Sequence, residues 1–191
     1  MLNRPAENAL IIVDYNLSRR EDVRNISRYA KQTYKLNTVL IRFNPVSVDY
    51  EISDAVVNHN PLSENFVDLA LESLTEFSYN YVAGLVFSDN AVKTGADLLE
   101  RLGLKTDNAI LAYNAFCKFE YRKVEQEIHH LLRPQGVFVP NFTTVEEIKD
   151  LRAFIAANPG GIVIKPKQEG NNRGVILLNE SLNFVSNILH Q

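Results

Sequence analysis

The residues whose types and spacing carry the most chemistry lie in Gly161–Leu178, GIVIKPKQEGNNRGVILL. An apolar run stops at Lys165-Pro166, a polar segment follows, and a second apolar run begins at Val175. A strand period of two puts Ile162 and Ile164 on one side and Val163 and Lys165 on the other. A lysine is therefore expected to be buried beside Val163, which is costly unless an anion meets it. The loop Lys167–Arg173 supplies what an anion needs. Gly170 and Gly174 permit close approach and positive φ, and Asn171 and Asn172 are the non-glycine types that best tolerate it. Such a loop turns backbone N–H groups toward phosphate oxygens, with Arg173 as a planar donor. On spacing alone, a long surface hairpin with a snorkelling lysine accounts for the same residues.

A second lysine bears on that choice. Asn114 is expected to cap a helix with apolar positions Tyr121, Val124, Ile128, Leu131 and Leu132, ended by Arg133-Pro134. Lys118 then falls in the first turn and a half, where the helix dipole disfavours a cation by about 0.3–1 kcal/mol. It also precedes Tyr121 by three residues, on the row expected to face inward. A cation at that end and on that face points to an external negative partner. Other polar residues read more plainly. Asp14 is a strand-end or capping residue, because no later strand end supplies the second carboxylate cluster and lysine of a phosphoacceptor site. His129 and His130 are adjacent on a helix, about 100° apart, and cannot share one metal. Cys117 reads as a small packing residue.

The elements that must position these lysines alternate. Ala9–Val13 is a continuous apolar run, as in a buried parallel strand. Ser18-Arg19-Arg20-Glu21 reads as a capping box, followed by an amphipathic helix through Val23, Ile26, Ala30 and Tyr34. Strands are expected at Thr38–Phe43, Asp54–Asn58 and Val82–Phe87. Helices are expected at SENFVDLALESLTEF and NAVKTGADLLERLGL. This alternation predicts a doubly wound, mostly parallel sheet with helices on both faces. After Asn108 the rhythm changes. Gly136–Pro140 reads as a short strand, Thr143–Glu147 as the capped start of a helix stopping at Asn158–Gly161, then the hairpin, then a last helix SLNFVSNILH. The expected organisation is an α/β domain over residues 1–113 and an α+β domain over 114–191.

Composition narrows the function. The chain has 191 residues, 46% hydrophobic and 23% charged, with formal net charge −3. That balance argues against non-specific nucleic-acid binding. One cysteine makes no internal disulfide, and no apolar run is long enough for a signal core or a membrane span. A soluble, cytoplasmic protein with no nucleic-acid or membrane partner is expected. The turn after the first strand, DYNLSRR, has no glycine, and neither a P-loop nor a G-x-S-x-G nucleophile elbow occurs.

With these residues in hand, the chain resembles the N-terminal half of an ATP-grasp enzyme of the carboxylate–amine (amino-acid) ligase type. GLVFSDNAVKTGADLLERLGL is similar to the end of the pre-ATP-grasp domain. AFCKFEYRKV resembles the family's D/N-K-x-x-x-R helix start, with Lys118 as its lysine. IVIKPKQEGNNRGV resembles the V-x-K-P-x-x-x-G-S-S-x-G-V hairpin, spaced as in D-alanine–D-alanine ligases. The resemblance implies a pre-ATP-grasp domain at 1–113 and the first α+β subdomain of an ATP-grasp fold at 114–191. It implies that Lys118 and Lys165 contact ATP phosphates, with Gly170, Asn171, Asn172, Arg173 and Gly174 folding over the triphosphate. The sequence departs from the pattern where Asn171 and Asn172 replace small residues, and where Cys117 replaces the usual acidic residue or Asn.

The reaction so implied is phosphorylation of a carboxylate by ATP, then attack of an amine on the acyl phosphate. The Mg2+ ligands of the family lie in a further C-terminal half, so no catalytic or metal-ligating residue is expected within these 191. The chain is expected to be a fragment of a longer ligase, inactive alone, or to work with a separate C-terminal chain or as a homodimer. Its expected small-molecule partners are ATP and a small carboxylate or amine substrate. The alternative is a non-catalytic nucleotide- or partner-binding module with a degenerate ATP-grasp half. A third reading is a structural α/β domain whose lysines are solvated.

Overall fold

The computed structural model describes residues 6–169 and 173–178. Gly170, Asn171, Asn172 and the helix expected at SLNFVSNILH lie outside the described residues. The chain divides into two compact units, Met1–Tyr113 and Asn114–Gln191.

In the first unit the strands are β1 (Glu7–Tyr15), β2 (Asn37–Ile41), β3 (Ala55–Val57) and β4 (Tyr79–Phe87). They form one parallel sheet in the order β3-β2-β1-β4. The apolar run Ala9–Val13 is the sheet's centre, and all five residues are buried. Both faces of β1 need covering, which is why its run does not alternate. Ala9, Ile11 and Val13 pack with Phe66, Ala70 and Leu74 of α3 (Phe66–Thr75) and Leu98 and Leu99 of α4 (Val92–Arg101). Leu10, Ile12 and Tyr15 pack with Val23 and Ala30 of α1 (Arg20–Tyr34) and Ile52 of α2 (Ser47–Ile52). The doubly wound parallel sheet read from the sequence is the architecture observed. Glycine serves it on both sides of the α4–β4 contact, at Gly84 and Gly95. A Cβ on Gly95 of α4 would lie 2.5 Å from a Val86 methyl, so the helix sits on β4 only because that residue has none.

Several local readings are corrected. Ser18 does not cap α1. Asn16 Oδ1 instead accepts the Ser18 N–H at 3.1 Å at the head of a 3-10 turn, Leu17–Arg19, that leads into α1. Tyr34 is exposed rather than on the buried stripe. Helix α2 was not foreseen. Its Asp49, fully buried, reaches back through Oδ2 to accept the Val46 N–H at 2.7 Å, and through Oδ1 accepts the Tyr15 hydroxyl at 2.6 Å. Burial and the Asp49 carboxylate together push the Tyr15 phenol up to about 12.

The second unit holds α6 (Lys118–Glu127), α7 (His129–Leu132), α8 (Ile148–Ala157) and an antiparallel pair, β5 (Ile162–Ile164) with β6 (Ile176–Leu178). Asn114 is not a cap; it lies inside α5 (Ala109–Phe116), which Asn108 caps by accepting the Ile110 N–H at 2.8 Å. Cys117, buried, stands at the N-cap of α6 rather than within a helix. Gly136–Pro140 is not a strand: Val137 and Phe138 are exposed, and no described strand lies beside them. Helix α8 begins later than Thr143, at a box in which Asp150 Oδ2 accepts the Glu147 N–H at 2.9 Å. His129 and His130 have rings 6.2 Å apart and nearly perpendicular, and no metal-binding cluster exists among the described residues.

Candidate functional site

Within the second unit, a cavity of about 790 Å³ opens between α6, the segment around Phe142, and β5 with the residues after it. Its apolar wall follows from strand alternation: Ile162 is buried and Ile164 half-buried, whereas Val163 is exposed. Phe119 meets Phe142 edge-on with centroids 5.8 Å apart, closing one side. Its cationic members are Lys118, Arg122, Lys165 and Lys167. Three lysines and an arginine around an aromatic and aliphatic floor suit a ligand with a flat apolar part and a multiply charged anionic part.

Lys118 is the first residue of α6, so the cation stands at the positive end of the helix, as the sequence implied, though behind a different cap. Its backbone N–H donates to the Lys167 carbonyl at 2.9 Å, and its Nζ donates to the Glu169 carbonyl. The start of α6 is thereby tied twice to the segment following β5. Lys165 corrects the burial argument made from its spacing. It shares the outward face of β5 with Val163 and is exposed, so no anion is needed to offset its desolvation. It nevertheless lines the cavity with Lys118. The structure brings these two lysines to one cavity.

Of the glycine–asparagine loop, Arg173 and Gly174 are described. Arg173 pairs with Glu169 at 2.9 Å, on the surface. Gly174 has φ +66°, and a Cβ there would lie 2.8 Å from Pro166 Cγ, so the position excludes a side chain on two counts. The Lys165-Pro166 step and Gly174 are thus parts of one turn, which spacing alone could not reveal.

Sequence reasoning gave Phe119 no role, and it placed Lys167 and Arg122 within their motifs without making them site residues. The ammonium groups of Lys167 and Lys123 stand 5.4 and 5.0 Å from the Phe119 centroid, within cation–π range. Phe119 follows Lys118 directly, and its alternation with charged neighbours was the available signal. Arg122 pairs with Glu125 one helical turn on. Lys123 is raised above the ordinary lysine range by its hydrogen bond to Glu120.

No family model and no curated protein matches the chain. Solved structures match it by shape. The L-amino acid ligase from Bacillus licheniformis gives a TM-score of 0.65 at 16% identity, covering 93% of this chain and 40% of that one. An N5-carboxyaminoimidazole ribonucleotide synthetase in an ADP complex gives 0.67 at 16% identity, covering 92% and 41%. The N5-carboxyaminoimidazole synthetase from Staphylococcus aureus, complexed with ADP, gives 0.62 at 11%, covering 91% and 41%. The chain spans about 40% of the length of these structures. At such identity the likeness is one of fold, and the fold is that of the N-terminal portion of ATP-grasp carboxylate–amine ligases.

Proposed function

We propose that the chain is the nucleotide-binding N-terminal part of an ATP-dependent carboxylate–amine ligase. In this reading residues 1–113 are the pre-ATP-grasp domain and 114–191 the first ATP-grasp subdomain. The observation that carries it is the single cavity shared by Lys118 and Lys165, in a chain whose fold neighbours include two structures holding ADP. Lys118, Lys165 and Arg173 meet the phosphates, and Phe119 with Ile162 and Ile164 offers apolar surface to the base. Gly170, Asn171 and Asn172 join Gly174 in the phosphate loop on the sequence resemblance alone.

The chemistry transfers the terminal phosphoryl group of ATP to a carboxylate oxygen, releasing ADP. An amine then attacks the acyl carbon and expels phosphate, leaving an amide. The lysines neutralise and orient the triphosphate; no described residue is assigned the amine's proton. No described cluster of His, Cys, Asp and Glu suits a metal, so the Mg2+ of this chemistry would be held by residues outside those described. Turnover is proposed for the assembly containing the rest of the fold, supplied in one longer polypeptide or by a separate chain, with or without homodimer formation, and working in the cytoplasm. No helix among the described residues is long and apolar enough to cross a membrane.

Calorimetric titration of ATP into the chain tests the site. A charge-assisted hydrogen bond is worth about 1.5–3 kcal/mol, so Lys118→Ala and Lys165→Ala should each weaken ATP by roughly 10–150-fold. Unchanged affinity in both variants would remove the assignment. ATP binding with no substrate-dependent ADP release from the complete assembly would leave a binding module rather than a ligase.

A further inference from the structure

The turn that joins β5 to β6 carries its own anion. From Lys165 to Gly174 the sequence is KPKQEGNNRG, with three cations and a single carboxylate, that of Glu169. Lys118 adds a fourth cation from the start of α6, where its backbone N–H donates to the Lys167 carbonyl at 2.9 Å. Like charges gathered round one turn repel one another, and a neighbouring anion offsets that repulsion. Glu169 is engaged twice. Its carbonyl accepts from the Lys118 ammonium, and its carboxylate holds Arg173 at 2.9 Å.

Two of the three cations assigned above to the phosphates are therefore already occupied by one residue. Lys165, the third, lines the cavity, as does Lys167. Arg173 is not in the lining, but the next residue, Gly174, lies against Pro166, which is. The arm that carries Arg173 thus returns alongside the Lys165-Pro166 step. The ion pair that holds it is open to solvent, with side chains 62% exposed at Arg173 and 48% at Glu169. Exposed pairs of this kind are weak. A planar guanidinium takes two phosphate oxygens side by side, so a phosphate chain that reaches Arg173 displaces the carboxylate.

We propose that Glu169 is the turn's own counter-anion, that a nucleotide's phosphate chain takes its place at Arg173, and that the residue thereby sets how far the site favours a phosphorylated ligand over a bare nucleoside. Its main-chain carbonyl keeps the Lys118 ammonium beside the turn, whatever side chain stands at 169. Its carboxylate competes with phosphate for Arg173. Against an uncharged nucleoside it does nothing, because such a ligand brings no rival oxyanion. The proposal rests on the nucleotide reading of the second unit, and its test separates the two.

Calorimetric titration of ATP and of adenosine into the 191-residue chain compares wild type, Glu169→Gln, Arg173→Gln and the double variant. Low ionic strength is used, where exposed charges are least screened. Glutamine keeps the length of the side chain and the carbonyl of the main chain, so the charge alone is removed. Glu169→Gln should tighten ATP by roughly 1.5- to 5-fold and leave adenosine unchanged. In the Arg173→Gln background the gain should be smaller, because the contested donor is gone. A gain of the same size in both backgrounds reflects overall charge and overturns the proposal. So does ATP bound no more tightly by Glu169→Gln than by wild type, or adenosine tightened as much as ATP; each leaves the nucleotide reading standing. No ATP binding by any of the four proteins overturns both.

Discussion

Gly174→Ala tests whether the turn beside the two lysines is built as described. The change adds two separable penalties. One is the left-handed backbone at φ +66°, worth roughly 1–2 kcal/mol for an alanine. The other is the new Cβ, 2.8 Å from Cγ of Pro166, whose ring cannot swing away as a flexible side chain would. Forced overpacking of that sort costs about 1–3 kcal/mol, so the sum is roughly 2–5 kcal/mol. Two other glycines of the same unit resolve the sum. Gly136 has φ +76° and nothing within 4 Å of a built Cβ, so Gly136→Ala carries the backbone penalty alone. Gly160 has open space and no positive φ, so Gly160→Ala should be neutral or stabilising by about 0.4–1 kcal/mol. Native-state hydrogen exchange at the β5 and β6 amides reports the local free energy without requiring the whole chain to unfold in one step. The order of loss should be Gly174, then Gly136, then Gly160. Equal losses at Gly174 and Gly136 would mean that Pro166 does not lie against Gly174, and the link between the lysine strand and its loop would be wrong.

Two further outcomes follow from packing and titration. Gly95→Ala gains roughly 1 kcal/mol of helix propensity but drives a Cβ to 2.5 and 3.0 Å from the two methyls of the stiff Val86 side chain. A melting temperature below wild type is expected, and a higher one would show that α4 does not pack so closely on β4. Of the eight tyrosines, burial holds Tyr15 and Tyr81 neutral up to about pH 12, with Asp49 adding to the effect on Tyr15. Their folded values lie above the ordinary 10, so the stabilisation they carry is complete below pH 10 and is lost as pH rises toward 12. Tyrosinate absorbance should therefore rise in two stages, with the late stage missing in Tyr15→Phe combined with Tyr81→Phe. A single stage near 10 in the folded protein would contradict the burial.

The parallel sheet was legible because the Ala9–Val13 stretch of β1 is apolar at every position, a pattern that only burial on both faces explains. The hairpin was legible from its breakers, Pro166 and Gly174. Which of its faces is buried was not. A period of two defines two faces, and only the partner surface decides that Ile162 turns inward while Val163 and Lys165 turn out. Gly136–Pro140 failed for a related reason: apolar residues make a strand only where another strand offers its edge. Helix α2 is six residues, most of them weak helix formers, fixed by a tertiary bond from Tyr15 to Asp49 that local sequence cannot show, beside the local bond from the Val46 N–H. The Asn114 cap failed because a separate helix precedes α6. Asn108 caps that helix, α5, and Cys117, with no capping side-chain bond, marks the start of α6. Lys118 survived this displacement because its meaning lay in charge and position, not in the identity of the cap.

Residue 118 divides its labour between main chain and side chain. The bond that seats the start of α6 on Lys167 comes from the backbone amide, which every residue except proline possesses. The ammonium reaches a different carbonyl, that of Glu169. The main-chain contact is therefore indifferent to what the side chain is, and position 118 can accept a non-natural reporter with that one of its two ties intact. A fluorophore or nitrile placed there would look into the cavity from a fixed point and register what enters it.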